Sequence, residues 1–266
     1  MTLRDLTRRL SAAGIEEAPL EARLLFCHYA SLSPAALLAD PDADCASPAL
    51  EDAVRRREAR EPLGYILGEV SFFGETYTVT PDVLIPRSDT ECLVEEAIRL
   101  LPPRSHFADL CTGSGCVAIS ILCHRPDLTA DAFDVSPAAL RVAKENAKRN
   151  GVENRIHFVE QDLLRRFPEA PYSAIVSNPP YIARDVIPTL SPEVKREPSI
   201  ALDGGADGLV FYRTMLEHRS PGTPLLWEIG FDQEEPIRRL AAEFGLSPRF
   251  LRDLGGNVRV AHLFDP

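Results

Sequence analysis

Ser177-Asn178-Pro179-Pro180-Tyr181 is the segment of this chain best composed for chemistry on a planar nitrogen. A nitrogen bearing two N–H groups and conjugated with a π system has a delocalised lone pair and is a poor nucleophile. To attack an electrophile it must lose some planarity and then shed a proton. Two acceptors, one for each N–H, orient it and favour that change. The side-chain oxygen of Asn178 supplies one. The Pro179 backbone supplies the other, because proline has a carbonyl but no N–H to compete with it. The rings of Pro179 and Pro180 fix φ and hold the loop rigid, and Tyr181 offers a face that stacks on a planar acceptor. Asn-Pro alone is a common turn dipeptide. Its place directly after a strand gives it weight, because ligands bind beyond the carboxyl ends of parallel strands. Two acceptor classes fit: the exocyclic amine of a base, and a carboxamide.

The electrophile is indicated by a second segment, Asp109-Leu110-Cys111-Thr112-Gly113-Ser114-Gly115. Gly113 and Gly115 let the backbone turn tightly and approach a ligand. With Ala118 they also fit a dinucleotide fingerprint. Asp109 argues against that reading, since its carboxylate would face a pyrophosphate across the glycine turn. S-adenosylmethionine instead presents an ammonium and a sulfonium there, and a carboxylate favours both. Asp134 follows the next strand, placed to accept from two ribose hydroxyls. Asp162 follows the third, where it would accept from the adenine amine while Leu163 packs on the ring. Three aspartates at successive strand ends form a pattern that isolated loop aspartates do not.

These loops need a sheet to align them. From Phe107 the chain alternates strands (107–110, 130–133, 156–159, 174–176, 225–229) with helices at 117–123 and from Ser136-Pro137 to Asn150-Gly151. This predicts an α/β fold with a parallel, doubly wound sheet. Arg249–Arg252, Gly255-Gly256-Asn257 and Val258–Phe264 read as a terminal hairpin, which makes the last strand antiparallel. Residues 1–68 show helical spacing (Leu3, Leu6 and Leu10; Leu20, Leu24 and Leu25) punctuated by Pro19, Pro34, Pro41 and Pro48. They predict four or five short helices in a small N-terminal bundle without catalytic residues. Residues 69–86 are expected to form a hairpin linker around Gly74, and 87–266 the catalytic domain.

Composition narrows the partners. The chain has 266 residues and a formal net charge of −11, which disfavours a polyanionic partner, so no direct nucleic-acid binding is expected. The basic run Arg55-Arg56-Arg57 with Arg60 is interleaved with Glu51, Asp52, Glu58 and Glu61, and is read as a solvated helix face. Six cysteines without a Cys-x-x-Cys pair, and scattered histidines, predict reduced thiols and no metal site. No apolar run is long enough for a membrane span. No leader is expected. A cytoplasmic monomer is the expectation.

Beyond the catalytic loop the chain resembles the HemK/PrmC-type glutamine methyltransferases. The resemblance rests on Glu61–Glu69 (EPLGYILGE), Leu84–Glu91 (LIPRSDTE), Asp109–Gly115 and Asn178–Tyr181, and runs on through Glu197-Pro198, Gly204-Gly205, Asp207-Gly208-Leu209, Tyr212-Arg213 and Glu228-Ile229-Gly230. It implies a class I (Rossmann-like) methyltransferase domain and a helical N-terminal domain that docks the substrate. That substrate would be a peptide chain release factor, methylated on the glutamine of its Gly-Gly-Gln loop, in translation termination. Cys111, Thr112, Gly113, Ser114, Gly115, Asp134 and Leu163 would then touch the cofactor, and Asn178–Tyr181 would hold the glutamine. Cys111 departs from the family's usual glycine and is expected to stiffen the cofactor loop. Met215–Pro224 is shorter than the family's stretch, which leaves the helix before the fifth strand undefined. The rival readings are an adenine-specific nucleic-acid methyltransferase, which shares Asn-Pro-Pro-Tyr, and a cofactor-binding regulatory module without catalysis.

Overall fold

Thr2 opens the first helix by a reciprocal cap. Its hydroxyl accepts from the Asp5 N–H, and the Asp5 carboxylate accepts from the Thr2 N–H. A computed structural model describes residues 1–40 and 42–265; Pro41, expected to punctuate the bundle, lies outside the described residues. The first compact unit comprises Met1–Glu69 together with Ser191–Arg196. Its helices are α1 (Leu3–Ala12), α2 (Ala18–Ala30), α3 (Pro34–Ala39), α4 (Pro48–Glu58) and α5 (Leu63–Leu67). Ser33 and Ser47 cap α3 and α4, each followed by a proline in the first turn, where no N–H is needed. Leu6, Leu10, Leu25, Phe26, Leu50 and Val54 form the buried centre.

The arginine run is not wholly a solvated face. Arg55 and Arg56 do pair locally, with Asp52 and Glu61. Arg57, however, is only 4% exposed. Its guanidinium donates to Glu21 and, at 2.9 Å, to Glu193, which also pairs with Arg60 at 2.7 Å. Two carboxylates compensate a charge that local spacing alone places in water, and removing one partner of such a buried pair costs about 3–5 kcal/mol.

The second unit comprises Val70–Leu190 and Glu197–Pro266. It begins with a hairpin of β1 (Glu69–Phe72) and β2 (Glu75–Thr78). Phe73 and Gly74 both have positive φ, 52° and 93°, as a two-residue hairpin turn requires. This hairpin belongs with the sheet rather than forming a separate linker. The hydroxyl of fully buried Tyr77 meets Ser120 at 2.6 Å. Asn146 accepts from the Thr78 N–H at 2.7 Å and donates to the Thr78 and Ser114 carbonyls.

The remaining elements are α6 (Glu91–Leu100), β3 (His106–Leu110), α7 (Cys116–His124), β4 (Thr129–Asp134), α8 (Pro137–Arg149), β5 (Ile156–Glu160), β6 (Ile175–Ser177), α9 (Val210–His218), β7 (Leu225–Glu228), α10 (Glu234–Glu243), β8 (Arg249–Arg252) and β9 (Val258–Leu263). The short stretch after α9 closes in a turn at Ser220–Thr223 with Gly222 at φ +82°, so the chain reaches β7 without a longer loop. Helices α6 and α10 were not anticipated.

The seven-stranded sheet has the order β5-β4-β3-β6-β7-β9-β8, with β9 antiparallel to both neighbours as expected. Side chains alternate between two buried faces. Phe107, Val176 and Leu226 enter one core; Ala108, Ile175, Leu225 and Trp227 enter the other. Burial on both faces is why these strands are apolar throughout. The order reverses between β3 and β6, and the registers Leu110↔Phe133 and Leu110↔Ser177 end those strands at one edge. No helix among the described residues is long and apolar enough to cross a membrane.

Candidate active site

At that edge the loop after β3 folds over the carboxylate that ends the strand. Asp109 is 1% exposed, and its Oδ2 accepts from the Thr112 hydroxyl at 2.6 Å. Burial pushes its carboxyl up to about 7, against the Thr112 and Ala118 hydrogen bonds that favour the ionised form. The Gly113 N–H donates to Asp134 Oδ2 at 2.9 Å, and the Ser136 N–H to Oδ1 at 2.9 Å. One carboxylate thereby fixes both the glycine turn and the start of α8. Desolvation raises the Asp134 pKa, and these same backbone donors oppose the rise.

A cavity of about 240 Å³ opens above these groups. Asp109, Cys111, Thr112, Gly113, Ser114, Asp134, Asp162 and Leu163 line it, together with Asn178, Pro180, Thr90, Arg87, Ile200 and Phe211. A Cβ at Gly113 would meet no described atom within 4 Å, so the turn leaves free space beside it. The donor set fits S-adenosylmethionine: acid groups for its cations and hydroxyls, apolar Val135 and Leu163 for a flat ring, and a glycine turn that admits close approach. Among the described residues no group of acidic, histidine and cysteine side chains could hold a metal ion, and all six cysteines are free.

Gly115 serves packing instead of the cavity. A Cβ there would lie 2.8 Å from Ile119 Cδ1 and 3.2 Å from Ala143 Cβ, and its φ is +82°. Cys111 adopts φ +60°, the left-handed region that glycine tolerates best. Its thiol is pushed well above its ordinary pKa by burial, so it acts as a small apolar group.

Pro179 and Tyr181 also stand off the cavity wall. Tyr181 turns its ring into the core and its hydroxyl to Glu228 Oε1 at 3.3 Å, which raises its pKa by burial and by the neighbouring carboxylate. This rotamer points away from the stacking role assigned to it. The Tyr181 backbone is clamped from outside: Gln233 Nε2 donates to its carbonyl at 3.0 Å, and to that of Gly208 at 3.3 Å. A Cβ at Gly208 would approach the Tyr181 carbonyl to 2.4 Å, so only glycine fits.

Known proteins resemble this chain in sequence as well as in fold. The methyltransferase small domain family matches residues 89–192, and the PrmC N-terminal domain family matches 2–68. A release factor glutamine methyltransferase of Cereibacter sphaeroides is 43% identical over 97% of this chain and 95% of its own length. The chain belongs to the release factor glutamine methyltransferase family. A second member, from Moorella thermoacetica, is 39% identical over 97% of both chains. A methyltransferase structure from Pyrococcus furiosus, 18% identical, matches with a TM-score of 0.53 over 71% of this chain and 87% of its own, which bears on the fold alone.

Within this family member, sequence reasoning missed the groups that hold the Asn178–Tyr181 loop. Thr90, Glu228 and Gln233 are all buried. Thr90 and Glu228 lay inside blocks that carried the family resemblance, but nothing in their spacing assigned them a contact. Gln233 carried no signal.

Proposed function

We propose that the cavity binds S-adenosylmethionine along Asp109–Ser114, Asp134, Asp162 and Leu163, and presents the substrate glutamine to Asn178 and Pro179. As a family member the chain is an S-adenosylmethionine-dependent protein-glutamine N-methyltransferase acting on peptide chain release factors. The single observation that supports this placement is that Asn178 and the Asp109–Ser114 loop share one cavity at the sheet's switch point.

The cofactor supplies an electrophilic methyl group. Asn178 and the Pro179 carbonyl take the two N–H groups of the glutamine amide and favour the pyramidal nitrogen that attacks. Held along Asp109–Ser114 and Asp134, the cofactor would supply the methyl group that replaces one proton of this nitrogen. The glutamine is that of the release factor's Gly-Gly-Gln loop, and the helical unit docks the rest of the factor, spending binding energy on positioning. The protein works as a cytoplasmic monomer without direct nucleic-acid contact, in keeping with its net charge of −11.

Labelled S-adenosylmethionine, offered with a release factor, a release factor whose Gly-Gly-Gln glutamine is replaced, and DNA, tests this directly. Label should enter only the intact factor. Label in DNA, or in the glutamine-replaced factor, overturns the assignment.

A further inference from the structure

Thr90 is 1% exposed, and its Oγ1 accepts from Asn178 Nδ2 at 3.2 Å. A hydroxyl that accepts from one neighbour still has its own proton to place. Glu228 is the acceptor beside it. This carboxylate is 2% exposed and takes the Tyr181 hydroxyl on Oε1. Its Oε2 is buried without a fully formed hydrogen bond among the described residues. Burial pushes the Glu228 carboxyl up to about 7; the Thr90 hydroxyl, the charge of Arg259 and the Tyr181 hydroxyl favour its ionised form, while Asp89 opposes it. Arg259 is itself held by Asp89 at 2.9 Å and Asp253 at 3.0 Å.

The direction of this chain matters because an asparagine amide has two ends of similar shape and opposite polarity. With the NH₂ toward the cavity, Asn178 would present donors to a substrate that also presents N–H groups. With the NH₂ turned back, only the carbonyl oxygen faces the substrate. In its ionised form the Glu228 carboxylate accepts and cannot donate, so it then draws the Thr90 proton and leaves a Thr90 lone pair for the Asn178 NH₂.

We propose that Thr90 is a positioning residue that sets the polarity of the Asn178 amide, relaying the acceptor character of Glu228 so that the Asn178 oxygen faces the reacting nitrogen. The inference rests on the reading of Asn178 as the acceptor for the substrate amide.

Thr90→Val keeps the shape and removes the hydroxyl. It should lower kcat by ~10-fold or more, the scale of one lost hydrogen bond plus misorientation. The KM for the release factor and the Kd for S-adenosylhomocysteine should stay within about twofold, since the Thr90 hydroxyl, on a residue that lines the cavity but is 1% exposed, is engaged by Asn178. Thr90→Ser, which restores the hydroxyl, should recover most of the rate. In an Asn178→Ala background Thr90→Val should have no further effect, because the two residues act as one unit. Glu228→Gln, whose amide can donate, should reproduce the loss in kcat and keeps the test open if Thr90→Val does not fold. A Thr90→Val enzyme with unchanged kcat overturns the proposal, as does an equal loss with and without Asn178. If Asn178→Ala itself keeps its kcat, the active-site reading fails as well.

Discussion

On the side of the cavity proposed to take the cofactor, groups of the adjoining loops hold the acidic side chains: Asp134 is gripped by the Gly113 and Ser136 N–H groups, and Asp109 by the Thr112 hydroxyl three residues away. On the acceptor side, side chains far apart in sequence hold the loop. Thr90 reaches Asn178 across 88 residues, Glu228 reaches Tyr181 across 47, and Gln233 reaches the Tyr181 carbonyl across 52. The first kind of support needs only a strand-to-helix turn and, for the Gly113–Asp134 bond, the pairing of neighbouring strands β3 and β4. The second needs the whole sheet assembled, so it fails only when tertiary structure is disturbed.

The sharpest break in this comparison is Asn178→Ala. It should cut kcat by roughly 10²-fold or more and leave cofactor binding nearly intact, because the two sides are built separately. A variant that keeps more than half of its kcat in a methyl-transfer assay removes Asn178 from the mechanism.

Gly208→Ala attacks the acceptor side without removing a polar group. The new methyl meets the Tyr181 carbonyl, and the φ of +75° is strained for alanine. Urea denaturation should show a loss of roughly 1–3 kcal/mol, with a lower kcat and an unchanged Kd for S-adenosylhomocysteine. A Kd that moves in step with kcat would show the two sides to be coupled.

Asp109 sharpens the cofactor side through pH. Folding raises its carboxyl from 3.8 to about 7. In the free protein its contribution to stability is therefore full below the unfolded value and is lost as pH rises through the folded one. Pairing with the cofactor ammonium needs the ionised form, so affinity should strengthen with rising pH, by up to about tenfold per unit below that pKa, and then level off. Calorimetric titration between acid and neutral pH checks this. Asp109→Asn should flatten the profile, and a slope that survives it assigns the titration elsewhere.

Cys111→Gly should do least. Relief of left-handed strain and the added freedom of glycine in the unfolded chain nearly offset, leaving stability within about 1 kcal/mol. A larger change, measured by thermal melting, would mean that the sulfur's packing holds the loop.

The same contrast explains what the sequence made legible. Asp109, Asp134, Asp162 and Asn178 could be found because a parallel sheet puts its strand ends along one edge, so order along the chain becomes position in space. The hairpin turn, the helix caps and the antiparallel β9 carry local signals of the same sort. Thr90 sits on a single 3₁₀ turn and has no periodicity, so its contact with Asn178 was invisible. Helix α10 contains Pro236, which reads as a breaker although it falls in the first turn, where proline is tolerated. Tyr181 was assigned to the substrate from its ring chemistry, yet its rotamer answers to Glu228. Arg57 looked solvated because the acids near it in sequence suffice, and only folding brings Glu193 to it.

That ion pair sets an order of events during synthesis. Glu193 is made 136 residues after Arg57, a delay on the order of ten seconds at ordinary elongation rates. Until then the nascent helical unit holds a cation balanced by Glu21 alone, and the segment 191–196 that completes it is still to come. The unit that begins the chain is therefore completed only after most of the parallel strands have emerged.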